Sequence, residues 1–390
     1  MMTIPIPPIR SVTDLRGRRA VVLGLARSGV AASRFLSDAG AAVTAYDRRP
    51  AAELADAVAA LGSRPVHLAL GLEQAQAATL IEQADLLVTS PSVSARFPTT
   101  DAWLREALAA AEHRGAEIVS EVELFLRLTR ARIAGVTGTK GKTTTASLLA
   151  AMLERAGIPA VLGGNIGTPL VERAIELGPD TWAVVELSEL QLPTIGRGAD
   201  VALYTNIGED HLDRHGSVEA YRTVKARLAE LSAPSGTVVL NHDDPGCREL
   251  GERLAPASVA WYGLVVPGHG GAGAWLAEDG WLRVVGERLL PAADVPLPGR
   301  HMLANVLGAA LGATIAGAPA PAVAAAIREF RGVPHRLEII AEHDGVRWVN
   351  DSQATIPVAA IAALEAFPSP IVLIAGGKDK GLEYDLFADA

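Results

Sequence analysis

The sequence predicts an α/β protein built from successive units of parallel strands covered by helices. Three observations carry that reading. From Arg19 onward, short β-branched runs alternate with Ala- and Leu-rich stretches of helical period. A glycine-rich loop at 135–143 sits between one such run and one such stretch. The chain has 390 residues, 49% of them apolar and 20% charged. That is more than one ordinary core organises, so two or three domains are expected.

The elements follow in order. Residues 20–23 read as a first strand, 24–29 as a turn and 30–39 as a helix; 43–46 is the next strand, closed by Asp47. Residues 86–89 form a later strand before the turn Ser90-Pro91-Ser92, and a helix at 102–114 precedes the stretch 121–129. A new start falls at Arg132: strand 133–136, the glycine-rich loop, then a helix over 143–156. Residues 182–186, 201–205 and 237–240 are further buried strands. Between 258 and 298 the text turns Gly- and Pro-rich, with three of the six Trp residues, and reads as hairpins. A third αβ pattern begins near Gly332, with strands at 346–350 and 371–374, and the chain stops at Ala390. The expected domains are 1–125, 126–332 and 333–390, the last one partial.

Composition excludes some functions. A net charge of −9 argues against general affinity for nucleic acid or anionic membrane. The single cysteine, Cys247, allows no internal disulfide and no thiolate zinc site, which fits a reducing cytoplasm. Residues 1–10 are Pro-rich, without the apolar stretch of a signal peptide. The apolar segment 305–327 is divided by Gly317, Pro319 and Pro321, leaving halves shorter than the ~20 residues a span needs. Two buried helices joined by a turn are expected there.

The loop Gly135-Val-Thr-Gly138-Thr139-Lys140-Gly141-Lys142-Thr143 carries the strongest signal. After a buried strand, glycines let the backbone curl so that successive N–H groups face phosphate oxygens. Lys142 would reach the β/γ phosphates and the Thr143 hydroxyl a magnesium ion. The first glycine stands one residue early, at 135, with Val136 in the usual place. The turn Gly24-Leu-Ala-Arg-Ser-Gly29 lies where a dinucleotide fingerprint would, but Ala26 replaces the middle glycine, and a plain βα turn explains it equally well. Glu186 ends one strand, and Asn206 to His215 (NIGEDHLDRH) follows another, where carboxylates are placed to hold magnesium. Read alone, His211 is a solvated loop histidine and Lys225 an ordinary surface lysine. Gly332-Val-Pro-His335-Arg336-Leu-Glu338 and Asn350-Asp351-Ser352 read individually as boundary ion pairs or turns, and Gly376-Gly377-Lys378-Asp379-Lys380 as an anion-facing turn.

Taken together and in this order, these motifs resemble the Mur ligase family, ATP-dependent amide ligases that build the peptidoglycan stem peptide. The resemblance extends over almost the whole chain. It implies a Rossmann-like N-terminal domain, a central P-loop ATPase domain and a Rossmann-like C-terminal domain, here truncated. The stretches 23–29, Gly163-Gly-Asn-Ile-Gly167, Glu186-Leu-Ser-Glu-Leu-Gln191 and Asn350-Asp-Ser352 point to UDP-N-acetylmuramoyl-L-alanine and D-glutamate as substrates. They would be joined through an acyl phosphate by a cytoplasmic monomer. By the same resemblance, Ser28, Gly29, Asp47, Arg48, Ser90 and Asn165 would hold the UDP substrate. Gly138, Thr139, Lys140, Gly141, Lys142, Thr143, Thr144, Asn305, Arg336 and Asp351 would hold ATP. Lys142, Glu186, His211 and Lys225 would be catalytic. Thr143, Glu186, His211 and a carbamylated Lys225 would bind two magnesium ions, and Thr355 and Lys380 would receive D-glutamate.

This sequence departs from the family pattern at several points. Ser92 stands where glycine is usual, Glu189 where serine is frequent, Gln353 where lysine is common, and the chain ends early. Three other readings stay open: a related amide ligase of the folylpolyglutamate type, a nicotinamide dehydrogenase resting on 24–29 alone, and a catalytically weak nucleotide-binding module.

Overall fold

A computed structural model describes residues 8–208, 217–265, 273–354, 357–367, 370–377 and 384–389. The chain divides into two compact units: Met1–Lys142 with Ile158–Leu240 and Asp244–Ala260, and Thr143–Gly157 with Asn241–Asp243 and Trp261–Ala390.

The first unit opens with βα alternation. Strand β1 (Arg19–Leu23) leads to helix α1 (Arg27–Asp38), β2 (Ala42–Asp47), α2 (Ala55–Ala60), β3 (Val66–Leu70), α3 (Gln74–Glu82), β4 (Leu86–Thr89), α4 (Ala102–His113), β5 (Glu117–Ser120) and α5 (Glu121–Leu128). The five strands are all parallel, in the order β3-β2-β1-β4-β5. Connections run to opposite sides of β1, which creates a switch point between β1 and β4. Val21, Leu23, Ile81, Leu87 and Leu108 pack into one buried cluster, and Leu25, Ala45, Leu54 and Leu61 into another. Helix α1 begins at Arg27, three residues before the expected start, so Ser28 and Gly29 lie in its first turn. Gly29 is there for space: a Cβ on it would stand 1.8 Å from the carbonyl oxygen of Gly24.

A second parallel set follows: β6 (Arg132–Thr137), α6 (Lys142–Arg155), β7 (Ala160–Gly164), β8 (Trp182–Glu186), β9 (Val201–Tyr204), α7 (Val218–Ser232), β10 (Thr237–Asn241) and α8 (Pro245–Glu252). Strands β10, β9, β6, β8 and β7 pair in that order, so β6 is central. Each of β6, β8 and β9 is an almost unbroken run of buried residues, as a strand covered on both faces requires.

Strand β11 (Val259–Gly263) pairs parallel to β12 (Gly273–Leu276), which forms an antiparallel meander with β13 (Trp281–Val284) and β14 (Glu287–Pro291). The expected hairpins are therefore present beyond β12, whereas β11–β12 is a parallel pair. The apolar segment forms two helices, α9 (Arg300–Ile315) and α10 (Ala320–Glu329), the second starting after Pro319. No helix among the described residues is long and apolar enough to cross a membrane. Beyond Gly332, β15 (Glu338–His343) and β16 (Val346–Asn350) form an antiparallel pair, followed by α11 (Pro357–Glu365) and α12 (Asp385–Asp389). Residues 371–374, expected as a strand, are in no strand: Val372 is 92% exposed, and no strand among the described residues pairs with them.

Candidate functional site

The site grows from the C-terminal end of β6. Thr137 ends the strand, Gly138 takes φ +152° and Gly141 φ +82°, and α6 starts at Lys142. Gly138 has no room for a side chain, since a Cβ there would lie 1.9 Å from Thr205 Oγ1. The curl is braced from β9. Thr139 N donates to Asn206 O at 3.0 Å, Lys140 N to Asn206 Oδ1 at 2.8 Å, and Asn206 Nδ2 to Lys140 O at 3.0 Å. Thr205 Oγ1 donates to the same Lys140 carbonyl. Lys142 Nζ folds into its own loop, donating to Gly138 O (2.8 Å) and Thr139 O (3.0 Å). An ammonium held inside a ring of backbone groups at a helix start is a receptor for phosphate. Thr143 follows at the head of α6, and Thr144 is buried one residue later.

Beneath the loop lies Lys225. The reading of it as a surface lysine fails, because α7 turns it inward and it is completely buried. Its Nζ donates to Gly138 O at 2.9 Å and Thr137 Oγ1 at 3.3 Å, stands 3.9 Å from Glu189 Oε2, and lies 5.5 Å from the ring centre of Tyr221. Burying an ammonium is tolerable only with such partners. Tyr221 OH pairs with Thr139 Oγ1 at 3.1 Å, and Gly208 N donates to that same oxygen at 3.0 Å.

Glu186, the last residue of β8, is 1% exposed. Its Oε1 accepts from Asn165 Nδ2 at 2.8 Å, and its backbone carbonyl from Asn165 N at 2.9 Å. Among the described residues its other oxygen, Oε2, is buried without a hydrogen-bond partner. A buried carboxylate oxygen left unmatched is a strong candidate for a cation ligand. Among the described residues no three His, Cys, Asp or Glu side chains gather into a metal cluster. Magnesium does not need one, because it takes one or two protein oxygens together with nucleotide phosphates and water. The residues present therefore fit that ion.

A second constellation lies at the switch point of the five-stranded sheet. The turns after β1 and β4 meet there: a Cβ on Gly24 would lie 4.0 Å from Ser90 Cβ, and the Ser90 and Ser92 hydroxyls are 3.2 Å apart. Asp47 accepts from Leu25 N at 2.9 Å and forms a two-point pair with Arg49 through Nε (3.0 Å) and Nη2 (2.9 Å). Burial raises its carboxyl, but these bonds outweigh it and hold the group at about 2. Asp47 thus fixes the turn that Ser28 and Gly29 enter, and Arg48 beside it is exposed.

The motifs around 335 and 351 also come together. Asp351 Oδ1 accepts from Leu337 N at 3.0 Å, His335 Nδ1 lies 2.9 Å from Asn350 Nδ2, and Gln353 N donates to His335 O at 3.1 Å. His335 (φ +65°) and Leu337 (φ +45°) flank Arg336 in left-handed backbone that side chains seldom adopt. Asn305 is 7% exposed on α9, with Nδ2 3.8 Å from Met302 Sδ. His211, Thr355 and Lys380 lie outside the described residues.

Sequence reasoning missed three supports of the loop: Thr205, Asn206 and Tyr221. Tyr221 was within reach, four residues before Lys225 and so on its helical face. The other two pair with the loop only because β9 is the neighbour of β6.

Residues 136–313 match the model of the Mur ligase middle domain, and 18–120 that of the Mur ligase MurD-like, N-terminal domain. The chain is 39% identical over 375 residues to the UDP-N-acetylmuramoylalanine--D-glutamate ligase of Caldanaerobacter subterraneus subsp. tengcongensis, covering 96% of this chain and 80% of that protein. It is 37% identical over 372 residues to the Geobacillus kaustophilus enzyme of the same name, covering 94% and 79%. In fold it is similar to the UDP-N-acetylmuramate-alanine ligase of Thermotoga maritima (TM-score 0.55, 18% identity, 90% of this chain and 77% of that one). A pseudomurein peptide ligase type C from Methanothermus fervidus is also similar (TM-score 0.51, 21% identity, 91% and 78%).

Proposed function

Because the chain belongs to the Mur ligase family, we propose that it uses ATP to join D-glutamate to UDP-N-acetylmuramoyl-L-alanine. The observation that carries the reading is the P-loop beside a buried, half-satisfied Glu186, with Asn165 linking that carboxylate to the loop at 163–167. The reaction needs a carboxylate aligned with the γ-phosphate and cations spread over anionic oxygens, and little covalent chemistry from the protein.

Lys142 and the N–H groups of 138–144 take the triphosphate, while Asn305, Arg336 and Asp351 take the adenine nucleotide. Asn165 positions the muramoyl part, with the L-alanyl carboxylate facing the γ-phosphate. Attack of that carboxylate gives an acyl phosphate and ADP; the amine of D-glutamate then adds to the acyl carbon and phosphate leaves. Ser28, Gly29, Asp47, Arg48 and Ser90 form the uridine diphosphate end. Thr143, Glu186, His211 and Lys225 are assigned to two magnesium ions, which when bound neutralise charge on the transferring phosphoryl group. Lys225 would enter as its carbamate, an anion that would help to hold one of these ions. Thr355 and Lys380 are assigned to D-glutamate. The domains 1–125, 126–332 and 333–390 divide these tasks within one cytoplasmic monomer.

The test is ADP release with UDP-N-acetylmuramoyl-L-alanine and, in turn, D-glutamate, L-glutamate, D-alanine and L-lysine. Release with D-glutamate alone is expected. Equal release with another amine would overturn the acceptor, and no release with any would favour a nucleotide-binding module.

A further inference from the structure

The proposed substrate has two ends that must be held in two places. Its uridine belongs in the crevice at the β1–β4 switch point, where open parallel sheets bind nucleotides. Its far carboxylate must reach the P-loop. The diphosphate joins these ends, so it has to pass between the turn at 24–29 and the loop at 163–167.

The Arg27 side chain spans that interval. Arg27 is exposed at the first residue of α1, and its Nη1 donates to Gly167 O at 3.3 Å. Gly167 is two residues beyond Asn165, whose amide is bound to Glu186. Arg27 therefore touches the loop that leads to the γ-phosphate site while rooted in the turn at the nucleotide crevice. Its bond to Gly167 is long, and a guanidinium has five donors in a fork that suits phosphate oxygens. The neighbouring Arg49 is committed to Asp47 through both Nε and Nη2. The serines facing the turn, Ser90 and Ser92, supply hydroxyls but no charge.

We propose that Arg27 is a substrate-positioning residue that grips the diphosphate where the nucleotide crosses from the switch-point crevice to the 163–167 loop. This rests on the UDP-substrate reading above. In this role Arg27 binds substrate along its length and leaves ATP binding alone.

The experiment measures binding of UDP and of uridine by calorimetry, and KM for UDP-N-acetylmuramoyl-L-alanine and for ATP, in wild type, Arg27→Ala and Arg27→Lys. Loss of a charge-assisted contact of this kind weakens binding about ten- to a hundredfold. Arg27→Ala is expected to weaken UDP and raise the muramoyl-substrate KM by that factor. Uridine binding and the ATP KM should stay within about twofold, and Arg27→Lys should recover part of the loss. Unchanged UDP binding in Arg27→Ala overturns the inference, as does an equal loss of uridine, which would mark a general disturbance of the turn. If wild type itself binds no UDP, the nucleotide reading fails and this inference with it.

Discussion

At the scale of single residues, the site is defined by which polar groups are buried and what meets them. Lys225 is the extreme case: a lysine with no exposed surface, held by Gly138 O, Thr137 Oγ1 and Glu189. Lys225→Ala removes the underpinning of the phosphate loop together with the proposed metal-facing group. It is expected to lose most ADP-forming activity, and added bicarbonate should not restore it; full activity in that variant would sink the carbamate role. Glu121 differs in kind. It is 5% exposed, and burial pushes its carboxyl up to about 7, only partly offset by the N–H groups of Val171 and Leu170. A carboxyl raised from 4.5 favours the folded state while protonated, so its contribution is whole below about 4.5 and gone once pH has risen through 7. Wild type should therefore lose about 2–3 kcal/mol from this residue between pH 5 and 8. In denaturant unfolding, Glu121→Gln should show a correspondingly flatter pH dependence, and identical slopes in the two proteins would contradict this.

At the scale of elements, glycines decide how closely a turn can pack on the sheet beneath it. At Gly29, any Cβ meets Gly24 O at 1.8 Å, so α1 must retreat to accept one. Gly29→Ala is expected to cost about 3 kcal/mol and to weaken UDP binding, because the shift reaches Ser28 and Arg27. Thermal unfolding together with UDP calorimetry checks both effects. A variant as stable as wild type would show that the turn is looser than this packing implies. The same logic sets Gly138 against Thr205. Both glycines were conspicuous in the sequence, but the atoms that exclude a side chain come from distant residues only in the second case, where they belong chiefly to the Thr205 side chain. Helix α1 also started earlier than its apolar period indicated, because Arg27 and Ser28 are polar and carry no periodic signal.

At the scale of the whole molecule, the proposed function asks a chain of net charge −9 to handle three polyanions, a UDP-sugar, ATP and an acyl phosphate. On that proposal the favourable charge is local, from loop N–H groups, Lys142, Arg27 and magnesium when bound. Chelation with EDTA should therefore reduce ADP formation to background, with recovery on adding magnesium. Undiminished turnover in EDTA would remove the metal from the scheme.

The sequence by itself determined the parallel α/β class and the strands at 20–23, 43–46, 86–89, 133–136, 182–186, 201–205 and 237–240, because burial on both faces of a parallel strand leaves unbroken apolar runs; the strand expected at 371–374 did not form. It also determined the phosphate loop, because few residue types permit that curl. Lys225, Glu186 and the motifs at 335 and 351 were visible as residues, but read alone each was ordinary. Only the tertiary structure decided that β9 lies beside β6, bringing Thr205 and Asn206 onto the loop. It alone buried Lys225 against Glu189, and it alone set Arg27 against Gly167 across 140 positions of chain. These pairings have no local signal, since their partners are chosen by strand order and not by spacing along the chain.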